Sequence, residues 1–154
     1  MDAEVYPDAR VAEFVTAHFI PVRLHVRDQA AEFTRLAARY QAPWTPTILV
    51  LDADGTERHR IEGFLDADDF LAQLRLGLAR HAFERHEWAE AEEGFRTLVQ
   101  EFPNTDAAPE ALYWAGVSRY KGSNDAAALA ETARAFDTQY RDSVWAKKAS
   151  VWKG

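Results

Sequence analysis

The chain has 154 residues, of which 47% are apolar, 28% charged and 12% aromatic, enough to bury about 70% of its unfolded surface as one domain or two small ones. Its 25 acids against 18 bases, a net charge of −7, exclude the basic balance that a nucleic-acid backbone favours. Cysteine is absent, which removes disulfides, thiolate nucleophiles, Cys-ligated zinc and iron–sulfur clusters together. No apolar run approaches the roughly 20 residues of a membrane span. Met1 is followed by Asp2 and Glu4 rather than by a signal sequence, so no membrane is expected and the cytoplasm is the expected location.

Asp8 is a candidate N-cap, and Val11, Phe14, Val15 and Phe19 follow at helical spacing. Ile20, Val22, Leu24 and Val26 alternate with Pro21, Arg23 and His25, which predicts a strand over 20–26. The period returns to helical from Gln29, with Ala30, Phe33, Leu36, Ala37 and Tyr40 on one side, and this helix is predicted to stop near Ala42, before Pro43. Thr47 to Leu51 is a short apolar run that predicts a strand buried on both faces. Asp52, Ala53, Asp54 and Gly55 supply turn chemistry, and Glu57 to Glu62 read as the return strand of a hairpin, at an edge. Asp66 caps a further helix carrying Phe70, Leu71, Leu74 and Leu78.

From Leu78 onward helical periodicity dominates. Breaks at 85–87, 102–106, 121–124 and 141–143 divide it into five helices, counting the one that enters from the first half. The charges shift at the same place, from 13 acids and 8 bases in residues 1–78 to 12 and 10 in 79–154. These changes predict two domains, 1–78 and 79–154.

Other constellations have plainer explanations. His81 and His86 are five apart, off a common helix face, unlike an i, i+4 metal pair. The Asp52-Ala-Asp54-Gly55 stretch resembles a calcium loop, but the twelfth position is Gly63 rather than a bidentate Glu. Asp66, Asp68 and Asp69 open a helix, where negative charge suits the dipole. No phosphate loop or nucleophile elbow occurs, so no metal site, cofactor or catalytic residue is expected in the chain as written.

The segment YQAPWTPTILVLDADGTERHRIEGF, residues 40–64, resembles the thioredoxin superfamily. In that block a helix ends, a Thr-Pro-Thr turn leads into a strand, and an Asp/Gly turn leads to an edge strand ending at Gly. Thr45-Pro46-Thr47 is its most specific element, and the resemblance implies a cis Pro46, with Trp44, Thr45 and Pro46 as a peptide-docking surface. The alternative for Pro46 is an ordinary trans turn. The family's central strand and Cys-X-X-Cys come before the region that Met1 opens, and neither is present here. Disulfide exchange requires a thiolate, so these 154 residues carry no redox chemistry by themselves. The strands predicted at 20–26 and 47–52 lack the central partner. They must pair with each other, with residues not included here, or with another chain, which allows a homodimer through unpaired strands. An upstream Cys-X-X-Cys would make the complete protein a thiol-disulfide oxidoreductase.

Residues 81–131 resemble tetratricopeptide repeats of the kind found in many bacterial proteins. Ala91, Phe95 and Pro103 match the second helix and closing proline of one unit, while Trp114, Gly116 and Tyr120 match the first helix of the next. The register returns at Tyr140 to Ser143, with Arg141 in place of the proline. Such repeats imply protein or peptide binding in a groove, for which Tyr113, Arg119 and Tyr120 are candidate lining residues; Trp88 and Trp114 are expected in the core. The expected fold is therefore an α/β thioredoxin-like domain, incomplete for want of its central strand, followed by an all-α tetratricopeptide-like region. The expected function is peptide or protein binding. The alternatives are the complete oxidoreductase and a non-enzymatic repeat adaptor.

Overall fold

A computed structural model describes residues 1–153, and the chain divides into two compact units, Met1–Leu71 and Ala72–Gly154. The first unit opens with α1 (Ala9–His18), whose N-cap is Asp8 as its sequence predicts. Asp8 lies in extended backbone and its carboxylate accepts the Arg10 backbone N–H at 2.8 Å, satisfying one of the orphan donors of the first turn. Val11 and Phe14 form the buried stripe of this helix. Arg10 also reaches Asp68 at 2.7 Å.

The strand expected over 20–26 is not formed. Residues 19–25 run without regular secondary structure, and Ile20 and Val22 are 95% and 79% exposed. The alternation of apolar and polar residues is present, but among the described residues no strand pairs with the segment. An isolated extended segment has nothing to hold it as a strand, because ladder hydrogen bonds come from a neighbour.

Next comes α2 (Ala30–Arg39), closing through Tyr40 and Gln41, the latter at φ 50°. After the Ala42–Pro46 loop, β1 (Thr47–Leu51) pairs antiparallel with β2 (Glu57–Glu62), Ile48 facing Ile61 and Val50 facing His59. Gly55, at φ 83°, makes the turn between them, and the Asp54 carboxylate accepts from the Thr56 N–H at 2.8 Å. The hairpin matches its sequence signature. The burial of β1 does not: its residues are half-buried and Leu51 is 40% exposed, because the sheet has only these two strands among the described residues. Asp66 then caps α3 (Ala67–Glu84), accepting from the Asp69 N–H at 2.9 Å.

The second unit is helical. The later part of α3 is followed by α4 (Trp88–Glu101), α5 (Ala107–Ser123), α6 (Ala127–Thr138) and α7 (Val144–Ala149), with a 3₁₀ turn at Ser150–Trp152. Leu76, Ala79, Ala91, Phe95, Leu98, Ala108 and Ala111 form its main core. Alanine and glycine bring the helices close: a Cβ on Gly94 would stand 3.1 Å from the Ala79 Cβ, and one on Gly116 would stand 2.1 Å from the Thr132 Oγ1. α5 runs through Ser123 and stops at Asn124 in left-handed backbone, three residues beyond the first residue of the expected 121–124 break. Ser143 caps α7, accepting from the Ala146 N–H at 3.0 Å. Among the described residues, no helix is long and apolar enough to cross a membrane.

Candidate functional site

The loop between α2 and β1 carries the residues singled out for peptide docking. Its near end is fixed from the hairpin. Arg60 of β2 donates to the main-chain carbonyls of Tyr40 and Gln41, and the Tyr40 hydroxyl donates to the Gly55 carbonyl at 3.1 Å. Arg60 also binds Glu57 at 2.7 Å and Glu62 at 3.3 Å, and the Glu57 hydrogen bonds, followed by the charges of both acids, hold its guanidinium above its ordinary range. One cation therefore ties the carbonyls just beyond α2 to the sheet, while the backbone N–H groups of Tyr40, Gln41 and Ala42 take up the helix's own last carbonyls at Leu36, Ala38 and Ala37. Beside it, Arg39 lies over the Tyr40 ring, 5.1 Å from its centroid. The Arg39, Tyr40, Gln41, Glu57, Arg60 and Glu62 side chains line a shallow, polar depression there.

The far end is fixed by the strand. The Thr45–Pro46 bond is cis, the Pro46 carbonyl accepts from the Gly63 N–H at 2.9 Å, and the Thr47 hydroxyl donates to the Trp44 carbonyl at 2.9 Å. Between these anchors Trp44 stands 69% exposed. Thr45 is exposed, and its backbone N–H and C=O meet no partner among the described residues. The structure thus brings Trp44, Thr45 and Pro46 into one bend held at both ends, with Trp44 and Thr45 exposed and Pro46 half-buried. Arg60 and Tyr40, which hold it, were not singled out by the sequence. An Arg on an edge strand reads as surface charge until its carbonyl acceptors are seen.

The helical candidates separate. Tyr113 belongs to an aromatic cluster, stacked on Trp152 at 4.6 Å between centroids and lying 5.2 Å from Trp145 and 5.5 Å from Trp114. Arg80 sits over Trp114 and pairs with Glu110 at 2.6 Å, and Lys148 sits 3.8 Å from the Trp145 centroid. The Trp114 indole N–H is buried with no acceptor among the described residues. Tyr120 is two turns along α5 on the Tyr113 side. Arg119 instead reaches across to α6 and pairs with Glu131 at 2.6 Å. Trp114 packs against the main core, and Trp88 stacks on His86 and meets Phe83 edge-on.

No curated protein and no solved structure matches the chain. A family model does: that of the thioredoxin-like domain, over residues 1–77. The matched stretch takes in α1, the irregular segment after it, α2, the Pro46 bend, the hairpin and the first turns of α3. The family expected from residues 40–64 is thus the family found, and the chain belongs to the thioredoxin-like domains.

Proposed function

We propose that this chain binds extended peptide or protein segments at the Trp44-Thr45-Pro46 bend and performs no redox chemistry with its own residues. The observation that carries the reading is the pairing of an exposed Trp44 ring with a neighbouring peptide group, at Thr45, whose donor and acceptor are both unmet. An extended ligand satisfies such groups by main-chain hydrogen bonds while an apolar side chain lies on the indole. The helical unit is read as tetratricopeptide-like hairpins within a domain spanning 79–154, contributing partner contacts around Tyr113. The close approach of α5 and α6 at Gly116 and Thr132 supports that reading.

The test uses a fluorescein-labelled, carboxymethylated and permanently unfolded polypeptide, followed by fluorescence anisotropy. Trp44→Ala is expected to weaken its binding about tenfold while leaving the unfolding midpoint unchanged, an exposed aromatic anchor being worth roughly 1–2 kcal/mol. Equal binding by parent and variant rejects the loop as the docking surface.

Family membership favours a second reading. A polypeptide carrying these residues behind the family's central strand and a Cys-X-X-Cys would be a thiol-disulfide oxidoreductase that docks its substrate on the same bend, since disulfide exchange needs the thiolate that these residues lack. Intact mass and thiol titration of the protein isolated from its source separate the two. A mass above 17.5 kDa with two thiols supports the enzyme, and 17.5 kDa with none leaves the binding module.

A further inference from the structure

We infer that the aromatic cluster where α5 meets α7 is the docking surface for an acidic peptide segment that carries an apolar side chain. This rests on the reading of the helical unit as a partner surface and gives that partner its chemistry. Trp152 stacks on Tyr113 at 4.6 Å between centroids, Trp145 lies 5.2 Å from the same ring, and Trp114 meets it edge-on at 5.5 Å. Ala133, Phe136 and Ala149 form the buried core beneath, while the rings of Tyr113, Trp145 and Trp152 stay half-buried. Large rings that keep part of their surface in water and are already fixed by their neighbours lose little freedom when a ligand covers them, which is why Trp and Tyr dominate binding surfaces.

The unmatched groups around these rings are all of one kind. The Trp114 indole N–H is buried with no acceptor among the described residues. Lys148 is exposed, with its ammonium 3.8 Å from the Trp145 centroid, and neither it nor Lys147 forms an ion pair among the described residues. The carboxylates at hand are already taken: Glu110, one turn before Tyr113 on α5, pairs with Arg80 at 2.6 Å, and Asp137 of α6 pairs with Lys153. The sequence concentrates this charge. The chain has a net charge of −7, yet residues 143–154 hold three of its four lysines and no acid.

What complements such a surface is a ligand that brings carboxylates for Lys147 and Lys148 and an apolar side chain for the rings between them. Stacking on Trp145 holds the Lys148 ammonium at the edge of the cluster, so its position is set before the ligand arrives. An anionic bilayer shares the charge but not the shape. Binding to one needs the apolar faces turned outward, whereas α7 turns Trp145, with Trp152 just beyond it, onto Tyr113.

Isothermal titration calorimetry of the full chain tests this with unlabelled, end-blocked peptides: one of Asp and Glu around a central Phe, one with Lys in place of every acid, and one acidic with Gly in place of Phe. The first is expected to bind, more weakly as sodium chloride is raised, and the other two to bind at least about tenfold more weakly. Lys147→Glu together with Lys148→Glu reverses two exposed charges and is expected to weaken the acidic peptide about tenfold, while Lys147→Arg with Lys148→Arg stays within about twofold of the parent. Trp44→Ala is expected to bind it as the parent does, which separates this surface from the Pro46 bend. A basic peptide that binds as tightly as the acidic one, or charge reversal without effect, overturns the acidic ligand and leaves the helical unit a surface for other partners. Heat from none of the peptides overturns both. Co-sedimentation with phosphatidylserine vesicles that the charge reversal abolishes, without peptide binding, assigns the lysines to a membrane and overturns the proposal.

Discussion

The guanidinium of Arg60, on β2, ties down the chain just past α2 by donating to the carbonyl of Tyr40, twenty residues away in the chain. A helix ends with carbonyls that its own backbone cannot satisfy. In many helices a glycine supplies the closing geometry; here Gln41 takes the left-handed conformation, the Gln41 and Ala42 N–H groups bond the Ala38 and Ala37 carbonyls, and the cation from the neighbouring strand takes the carbonyls that follow. The exposed Trp44 bend is thus anchored to the sheet before β1 begins.

Arg60→Met keeps the side-chain length and removes the donors. It is expected to lower unfolding stability by about 1–2 kcal/mol, toward the low end for charge-assisted bonds because the side chain is still a quarter exposed. Amide exchange at Ala42, whose N–H bonds the Ala37 carbonyl at 2.9 Å, should accelerate. A urea midpoint equal to that of the parent would remove the anchoring role.

Gly116→Ala puts a methyl group within 2.1 Å of the Thr132 hydroxyl oxygen and 2.7 Å of its Cβ. Since Ala ordinarily favours a helix, a gain would be expected from propensity alone. The contact reverses the sign, and overpacking of this kind costs about 1–3 kcal/mol. Thermal unfolding followed by circular dichroism checks it, with Gly116→Ala plus Thr132→Gly expected to recover part of the loss. A variant as stable as the parent would show that α5 and α6 separate at no cost.

Acid sensitivity follows from the caps. Hydrogen bonds from the Arg10 side chain and backbone hold the Asp8 carboxyl below its ordinary 3.8, and those from Thr56 do the same for Asp54. A depressed folded value means that the contribution is fully present above about pH 3.8 and disappears as pH falls through the lower, folded value. Asp8→Asn retains a capping oxygen but no titration, so its helical signal should fall less steeply than the parent's below pH 3.8. Superimposable acid titrations would contradict this.

At the alkaline end the relevant group is Tyr140. Its hydroxyl donates to the Pro103 carbonyl at 2.8 Å, and burial pushes the phenol up from 10.0. The neutral form is the one the fold favours, so stability is intact below pH 10.0 and is lost as pH rises through the raised value. Tyr140→Phe should cost about 1 kcal/mol at neutral pH. It should also flatten the decline above pH 10.0, a difference that denaturation at two pH values would reveal.

Local signals in the sequence were largely sufficient for local structure. Asp8 and Asp66 mark helix starts, the Val11 and Phe14 spacing marks a buried helical stripe, and Asp54-Gly55 marks the hairpin turn. Each needs only neighbours a few residues away. Residues 20–26 show the opposite case, because alternation describes how side chains would face if a partner strand existed and says nothing about whether one does. The same limit applies at the candidate sites. Trp44, Thr45 and Pro46 are adjacent in the chain and were legible as a group. Arg60 with Tyr40, and Tyr113 with Trp145 and Trp152, come together only through folding, across separations that periodicity does not span. Arg119 lies close to Tyr113 in sequence but turns toward Glu131, since six residues along a helix carry a side chain to another face.

The contact between Gly116 and Thr132 has a consequence for descent. Neither position can gain an atom unless the other surrenders one, so a lineage that replaces the glycine passes through a weakened intermediate unless position 132 has already shrunk. Among relatives that keep α5 against α6, the two positions should therefore vary together, with a small residue at 116 accompanying Thr, and larger residues there appearing only beside Gly or Ala at 132.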